Sequence, residues 1–328
     1  MKKINWGIIG CGNVTELKSG PAFNKVKNSS LVAVMRRDAE KAKDYANRHQ
    51  VPKWYNDATE LINDPDVNAV YIATPPSSHE AYAFAALHAG KPVYVEKPMT
   101  LNYSSALKMM ITAKETNSKL SVAHYRRAHP YFLKIKKLLD DNVIGPVRIV
   151  RLEFYKKLLS VQELELPGNA WRVNMAIAGG GLFHDLAPHQ LDLMHYFFGA
   201  IENAAGVAVN QSHLYEADDV VAGNISFKNG VVFNGIWRFN VGKDDEKDYC
   251  EIVGSEGSIS FSIFGEQKIT VVKNDVTEII PFIPPQHVQQ PLIEKVVEYF
   301  LDEGPNPSSA EDGVAVMRLL DQFTINKY

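Results

Sequence analysis

The 328-residue sequence predicts an α/β N-terminal domain with a doubly wound parallel sheet, followed by an α+β C-terminal domain with a large, mostly antiparallel open sheet. Three observations carry that expectation. From Ile4 to Ala123, short β-branched and aromatic runs alternate with helix-length segments, as parallel strands joined by crossover helices do. A glycine-rich turn follows the first of these runs directly. Beyond it the pattern changes to successive strand-like runs broken by turn residues, with one stretch unlike its surroundings among them. On this reading the domains are residues 1–123 and 124–328.

Composition narrows the function classes. Hydrophobic residues at 45% and charged residues at 22% are ordinary for a soluble globular protein, and the length fits two cores. A net charge of −3 gives no reason to expect nucleic acid or an anionic membrane as partner. Two cysteines, Cys11 and Cys250, argue against a disulfide framework and fit a reducing cytoplasm. The N-terminal apolar run is too short for a signal peptide, and no stretch approaches the roughly 18 apolar residues of a membrane helix.

The first strand, 4–9, runs into Gly10-Cys11-Gly12-Asn13-Val14-Thr15, a G-x-G-x-x-G pattern with Thr15 in the third place. Gly10 allows a tight turn and Gly12 lets the backbone approach a pyrophosphate at a helix N-terminus, which Asn13 and Val14 open. A second strand, 31–35, ends in Arg36-Arg37-Asp38 where an acidic residue commonly binds the adenosine ribose of NAD. Arginine there removes a carboxylate that would repel a 2′-phosphate and offers a planar donor fork, which favours NADP(H) with NAD(H) as the alternative. Asp38 is also placed to cap a helix over 39–49. A short strand near Trp54 and a helix over 57–63 follow.

Residues 69–98 read as a β-α-β unit, with strands over 69–73 and 92–96 and a helix over 78–89 capped by Ser77 or Ser78. Its strands exit into Thr74-Pro75-Pro76 and Glu96-Lys97-Pro98. Ligands collect at the carboxyl ends of such strands, so Lys97 is either a reacting group or a solvated loop lysine. His79 is either a cofactor-lining residue or a first-turn residue. A helix over 104–117 and a strand over 120–123 complete the domain.

The second half opens with a helix over 131–140, ended by Asn142 and Gly145, and a strand over 147–154. Strand-like runs follow at 204–209, 220–227, 231–239, 249–253, 258–263 and 269–272, with Asn229-Gly230 as a hairpin turn. Helices over 291–302 and 310–327 close the chain. The exception is Gly179-Gly180-Gly181, after which a helix begins that carries Asp185, His189 and Asp192 on one face. A histidine one turn from a carboxylate reads as a proton-exchanging pair near neutral pH, with a buried structural pair and metal ligation as alternatives, the last without a further His/Cys cluster at ligand spacing.

These features in this order resemble the Gfo/Idh/MocA (glucose-fructose oxidoreductase / inositol dehydrogenase) family over essentially the full length. They are Gly10-Cys11-Gly12, Thr74-Pro75 with His79, Glu96-Lys97-Pro98, Arg127 before Pro130, and the triple glycine followed by Asp185, His189 and Asp192. Trp171-Arg172 looks like the family's substrate-side segment, and 308–313 like its terminal-helix entry. The resemblance implies an NAD(P)-dependent oxidoreductase acting on the CH–OH group of a sugar, polyol or related compound, with Lys97, Asp185 and His189 catalytic. It implies Gly10, Gly12, Asn13, Val14, Arg36, Arg37, Thr74, Pro75, His79 and Glu96 for the cofactor. Substrate would meet Lys97, Arg127, Trp171, Arg172, Asp185, His189 and a turn near Trp237-Arg238. It also implies a homo-oligomer, dimer or tetramer. Arg36, and Ala187-Pro188 ahead of His189, depart from the family pattern. Two alternatives stand beside this reading: an NAD-dependent glycosidase of the same family, and a dinucleotide-binding regulator without catalysis.

Overall fold

Short apolar runs that are hydrophobic on both faces belong inside a parallel sheet, and six of them form one. In the computed structural model, which describes residues 2–324, these are β1 (Ile4–Ile9), β2 (Ser29–Met35), β3 (Lys53–Tyr55), β4 (Ala69–Ile72), β5 (Val93–Val95) and β6 (Leu120–Val122). All neighbours pair parallel in the order β3-β2-β1-β4-β5-β6. The order reverses between β1 and β4, which is where open sheets of this kind bind ligands. Crossover helices span Ala39–His49, Ala58–Asn63, His79–His88 and Tyr103–Glu115. The first connection is different: a five-residue helix, Asn13–Leu17, followed by a 3-10 turn, Gly20–Asn24, with Pro21 in its first turn.

The chain divides into two units, Met1–His129 with Pro285–Val314, and Pro130–Pro284 with Ala315–Tyr328. This corrects the expected single break between residues 123 and 124. The helix Gln290–Phe300 buries Leu292, Ile293, Val296, Val297 and Phe300 along one stripe, and these side chains join the core of the first unit. Phe300 lies 5.5 Å from the Trp6 ring on β1. The return segment is thus held by burial, which linear order does not reveal.

In the second unit, β7 (Val147–Lys157), β8 (Ile201–Val209), β9 (Val220–Phe227), β10 (Val232–Val241), β11 (Lys247–Gly254), β12 (Gly257–Phe261), β13 (Lys268–Lys273) and β14 (Val276–Pro281) form an eight-stranded sheet. Its order is β14-β13-β12-β11-β7-β10-β9-β8, antiparallel throughout except where β7 meets β10. The long helix Gly181–Phe198 belongs to this unit, and its Phe183 meets Trp237 of β10 at 5.1 Å. Alternation along β9 and β10 buries Val221, Ile225, Phe233, Trp237 and Phe239 on one side.

Several boundaries depart from the sequence reading. β14 was not expected; Asn274 and Asp275, both with positive φ (51° and 61°), make the two-residue turn that pairs it with β13. At the Asn229-Gly230 hairpin only Gly230 has positive φ, and Phe227 N–H donates to Val231 O, closing the three-residue loop 228–230 that the expected strand ends at 227 and 231 leave. Short helices at Val161–Glu165, Pro167–Val173 and Met175–Ala178 occupy a stretch without clear periodicity. Ser78 precedes the His79–His88 helix but gives it no side-chain cap; its hydroxyl donates to Pro75 O instead. The final helix is Ala310–Thr324, and the expected extension to 327 lies outside the described residues. Among the described residues no helix is long and apolar enough to cross a membrane.

Each unit buries a histidine that burial pushes down to about 4. His129 in the first has Nε2 2.6 Å from Val288 O, and His184 in the second has Nδ1 3.2 Å from Gly180 O. Unfolded histidine titrates near 6.5, so between about 6.5 and 4 the unfolded chain binds more protons than the folded one. Stability therefore rises with pH across that window and is lost as pH falls through it. Thermal unfolding midpoints should drop steadily from pH 6.5 toward 4, and His129→Gln should flatten that dependence; a slope unchanged in the variant would remove His129 as a cause.

Candidate functional site

In the first unit, candidate residues gather at the carboxyl ends of β1, β2, β4 and β5. Gly10 has φ +97°, and a Cβ there would lie 2.8 Å from Thr74 N and 2.9 Å from Ala73 C. Both its conformation and the close passage of β1 past β4 demand glycine. Gly12 is different. A Cβ there would meet only Gly10 O, at 4.0 Å, so protein packing leaves this backbone bare. That is the condition for close approach of a pyrophosphate. Thr15, fully buried, replaces the third glycine as a packing residue: its hydroxyl donates to Gly12 O at 2.8 Å and its carbonyl accepts from Tyr45 at 2.8 Å. Asn13 is exposed and Val14 half-buried at the helix start.

Arg36 folds back over this turn, its Nη1 donating to Cys11 O at 3.2 Å. Arg37 is exposed, and Asp38 caps the next helix by accepting from Lys41 N–H at 3.1 Å. Burial pushes the Cys11 thiol up to about 11, so Cys11 stays a thiol at neutral pH.

Thr74 and Pro75 leave β4 half-buried. The Thr74 hydroxyl oxygen is buried and has no hydrogen-bond partner among the described residues, a feature that fits a polar group supplied by a bound cofactor. His79 is fully buried, with Nε2 2.7 Å from Thr74 O and Nδ1 3.0 Å from Pro98 O. Both ring nitrogens lie against main-chain carbonyls at the tips of β4 and β5; burial lowers its pKa, and the neutral ring donates to one of the two carbonyls. Glu96, 6% exposed, accepts from Tyr71 OH at 2.6 Å and Gln289 Nε2 at 2.5 Å, and from the main-chain N–H of Lys97 at 3.2 Å. Lys97 beside it is half-buried. Arg127, in a 3-10 turn, pairs with Asp312 Oδ2 at 3.0 Å and is 7% exposed.

In the second unit the triple glycine leads into the Gly181–Phe198 helix, which is continuous through Pro188 and so keeps Asp185, His189 and Asp192 on one face. Asp185 Oδ2 accepts from Arg172 Nε at 2.8 Å, and the Arg172 guanidinium lies 4.8 Å from the Trp171 ring centroid. The structure thus brings Trp171, Arg172 and Asp185 together. His189 and Asp192 are buried, and His189 meets the Phe264 ring edge-on at 5.6 Å. Asp248 holds that phenylalanine by accepting from the main-chain N–H groups of Ile263, Phe264 and Gly265. The turn expected near Trp237-Arg238 does not exist. Both residues lie inside β10, with Trp237 fully buried and Arg238 5.4 Å from the Tyr155 ring centroid.

Gln190, Phe264, Tyr71 and Gln289 were not identified from sequence. Gln190 and Phe264 sit in or beside apolar runs without a motif, and Gln289 is 193 residues from its partner Glu96.

A family model described as "Oxidoreductase family, NAD-binding Rossmann fold" matches residues 4–124, and the "GFO/IDH/MocA C-terminal domain" matches residues 132–260. An oxidoreductase of Formosa agariphila is 50% identical over 321 residues, covering 98% of both chains. The trans-1,2-dihydrobenzene-1,2-diol dehydrogenase of Bos taurus is 32% identical over 233 residues, 70% of this chain and 66% of the relative. Among solved structures, the aldose-aldose oxidoreductase of Caulobacter crescentus, complexed with glycerol, shares the fold with a TM-score of 0.84 at 24% identity, covering 97% of this chain and 96% of that one. A 3-ketoreductase from Actinomadura kijaniata, in complex with NADP and TDP-benzene, does so with 0.84 at 21% identity, covering 98% and 97%.

The rotation of the site helix rests on Gln190, fully buried, whose Oε1 accepts from the Trp237 indole N–H at 2.6 Å. Gln190→Leu leaves that buried donor without an acceptor and should cost about 1–3 kcal/mol of stability by denaturant unfolding. A loss below a few tenths of a kcal/mol would show that the bond does not hold the helix.

Proposed function

The chain belongs to the Gfo/Idh/MocA oxidoreductase family, with an NAD-binding Rossmann domain at its N-terminal end, and from that premise we propose that it transfers hydride between NADP(H) and a hydroxyl-bearing carbon of a sugar, polyol or related diol. The observation that carries the reading is the first unit's strand-tip cluster. Bare Gly12 backbone, the unpartnered Thr74 hydroxyl, Arg36 over the glycine turn and Glu96-Lys97 all lie at carboxyl ends of strands around the switch point. The diol named for the bovine relative supports the substrate class.

A bound nicotinamide supplies the hydride donor or acceptor. His189 removes the hydroxyl proton during oxidation and returns it during reduction. Lys97 favours alkoxide character in the substrate by donating a hydrogen bond. Asp185, oriented by Arg172, accepts from a neighbouring hydroxyl, and Trp171 and Arg172 flank it on the substrate side. Arg36 meets a 2′-phosphate with a planar donor fork.

Exposed valines and isoleucines on the second unit's strands, among them Val207, Val209, Val232, Val272 and Ile279, support a homo-oligomer formed with a second copy. Both cysteines are free and buried, which fits a cytoplasmic setting.

Incubation with NADP+ or NAD+ and a panel of sugars, polyols and diols should generate reduced nicotinamide, read by its absorbance. Product formed without net reduced nicotinamide would favour transient-redox hydrolysis, and binding without any turnover a regulator. Lys97→Ala should abolish turnover while leaving NADPH affinity within about twofold; surviving turnover removes Lys97 from the chemistry. Arg36→Glu should weaken NADPH binding relative to NADH by about tenfold or more, the charge reversal opposing the 2′-phosphate. An unchanged ratio would place NADP selection elsewhere.

A further inference from the structure

We propose that Gln289, on the segment that returns to the first unit, is a positioning residue for Lys97: it holds the Glu96 carboxylate, which in turn holds the Lys97 main chain. The proposal rests on the reading of Lys97 as a catalytic donor.

Glu96 is the connecting group. Its Oε1 accepts from Tyr71 OH at 2.6 Å and from Gln289 Nε2 at 2.5 Å, and its Oε2 accepts from Lys97 N–H at 3.2 Å. A carboxylate only 6% exposed needs such donors in place of water. Tyr71 can be only a donor to it. Burial and the Glu96 charge hold the Tyr71 phenol well above its ordinary range, so the proton stays.

The orientation of the Gln289 amide is fixed by its other end. Its Oε1 lies 3.4 Å from Tyr94 OH and 3.5 Å from Tyr71 OH. Tyr94 is fully buried and likewise held in its protonated form, so its hydroxyl donates to the amide oxygen. The amide nitrogen must then face Glu96. Gln289 is fully buried, and its main-chain N–H donates to Lys18 O at 3.1 Å. Two residues earlier, His287 Nδ1 lies 2.7 Å from Leu17 O. Leu17 and Lys18 end the short helix that the glycine turn opens. The 287–289 strap therefore ties the exit of the dinucleotide turn to the tip of β5 through one side-chain amide.

Removing that amide leaves a buried carboxylate oxygen short of a donor, and Glu96 must turn to recover one. That turn disturbs its bond to Lys97 N–H. A displaced reacting group costs far more rate than affinity.

The test uses the full-length enzyme with Gln289→Leu, Glu96→Gln, the double variant, and Tyr94→Phe, which keeps the ring but removes the hydroxyl that orients the amide. Three quantities are read: kcat against KM on a substrate found by the panel, NADPH Kd by fluorescence, and the rate of Lys97 acylation by a small amine-reactive reagent, followed by peptide mass. Gln289→Leu should lower kcat about 10- to 100-fold with NADPH Kd within about twofold, and change Lys97 acylation at least several-fold. Tyr94→Phe should shift both in the same direction by less. In the Glu96→Gln background, Gln289→Leu should add little. A folded Gln289→Leu or Tyr94→Phe enzyme with wild-type acylation of Lys97 overturns the proposal, as does an undiminished Gln289→Leu effect in the Glu96→Gln background. Altered acylation combined with a fully active Lys97→Ala enzyme would keep the positioning and discard the catalytic role of Lys97.

Discussion

A carboxylate can be kept inside a protein only where donors replace the water it has lost, and in the first unit that requirement organises everything around Glu96. The donors come from three separated stretches: Tyr71 on β4, Gln289 on the return segment, and the main chain of Lys97 itself. Each also has a second commitment. Tyr71 stacks on Tyr94 at 5.1 Å, and Gln289 is tied by its main chain to Lys18. The strand tip is therefore braced from below, while the His79 ring lies beside it against Thr74 O and Pro98 O. A flexible lysine gains a defined origin from these bonds without any of them touching its amine.

The second unit reaches a similar end by different means. A long helix carries Asp185, His189 and Asp192 at one-turn spacing, but spacing alone does not say which way the face points. The Gln190–Trp237 hydrogen bond, made inside an aromatic cluster of Phe183, Phe233 and Phe323, fixes that rotation. A slot of small residues completes the packing: a Cβ at Gly223 would lie 2.4 Å from the Phe323 ring. Buried polar pairs in apolar surroundings specify geometry more strictly than apolar packing does, because an unmade hydrogen bond there is costly.

Much of this was legible in the sequence, and the reasons are local. Alternating runs placed β1, β2, β4, β5 and β6 and the helices between them, because a parallel strand buries both faces and so must be apolar throughout. Gly10 was legible because no other residue tolerates its φ of +97° against Thr74. Asp38 was legible as a cap because capping is a contact between near neighbours. Asp185 and His189 were legible because helical periodicity alone puts them on one face.

What failed was non-local or depended on partners. The pairing of Arg127 with Asp312, 185 positions on, has no local signal, and the turn expected at Trp237 gave way to a buried strand residue. The domain boundary failed because the 290–300 stripe is equally amphipathic against any core, and only the Trp6–Phe300 contact tells which one it joins. By itself, then, the sequence determined the order of most elements, the glycine turn and the shared helical face of Asp185 and His189, since those follow from backbone sterics and short-range periodicity. The tertiary structure alone decided how those groups are held, through Gln289, Gln190 and the return segment, because a hydrogen bond across 193 residues leaves no periodic trace in the chain that makes it.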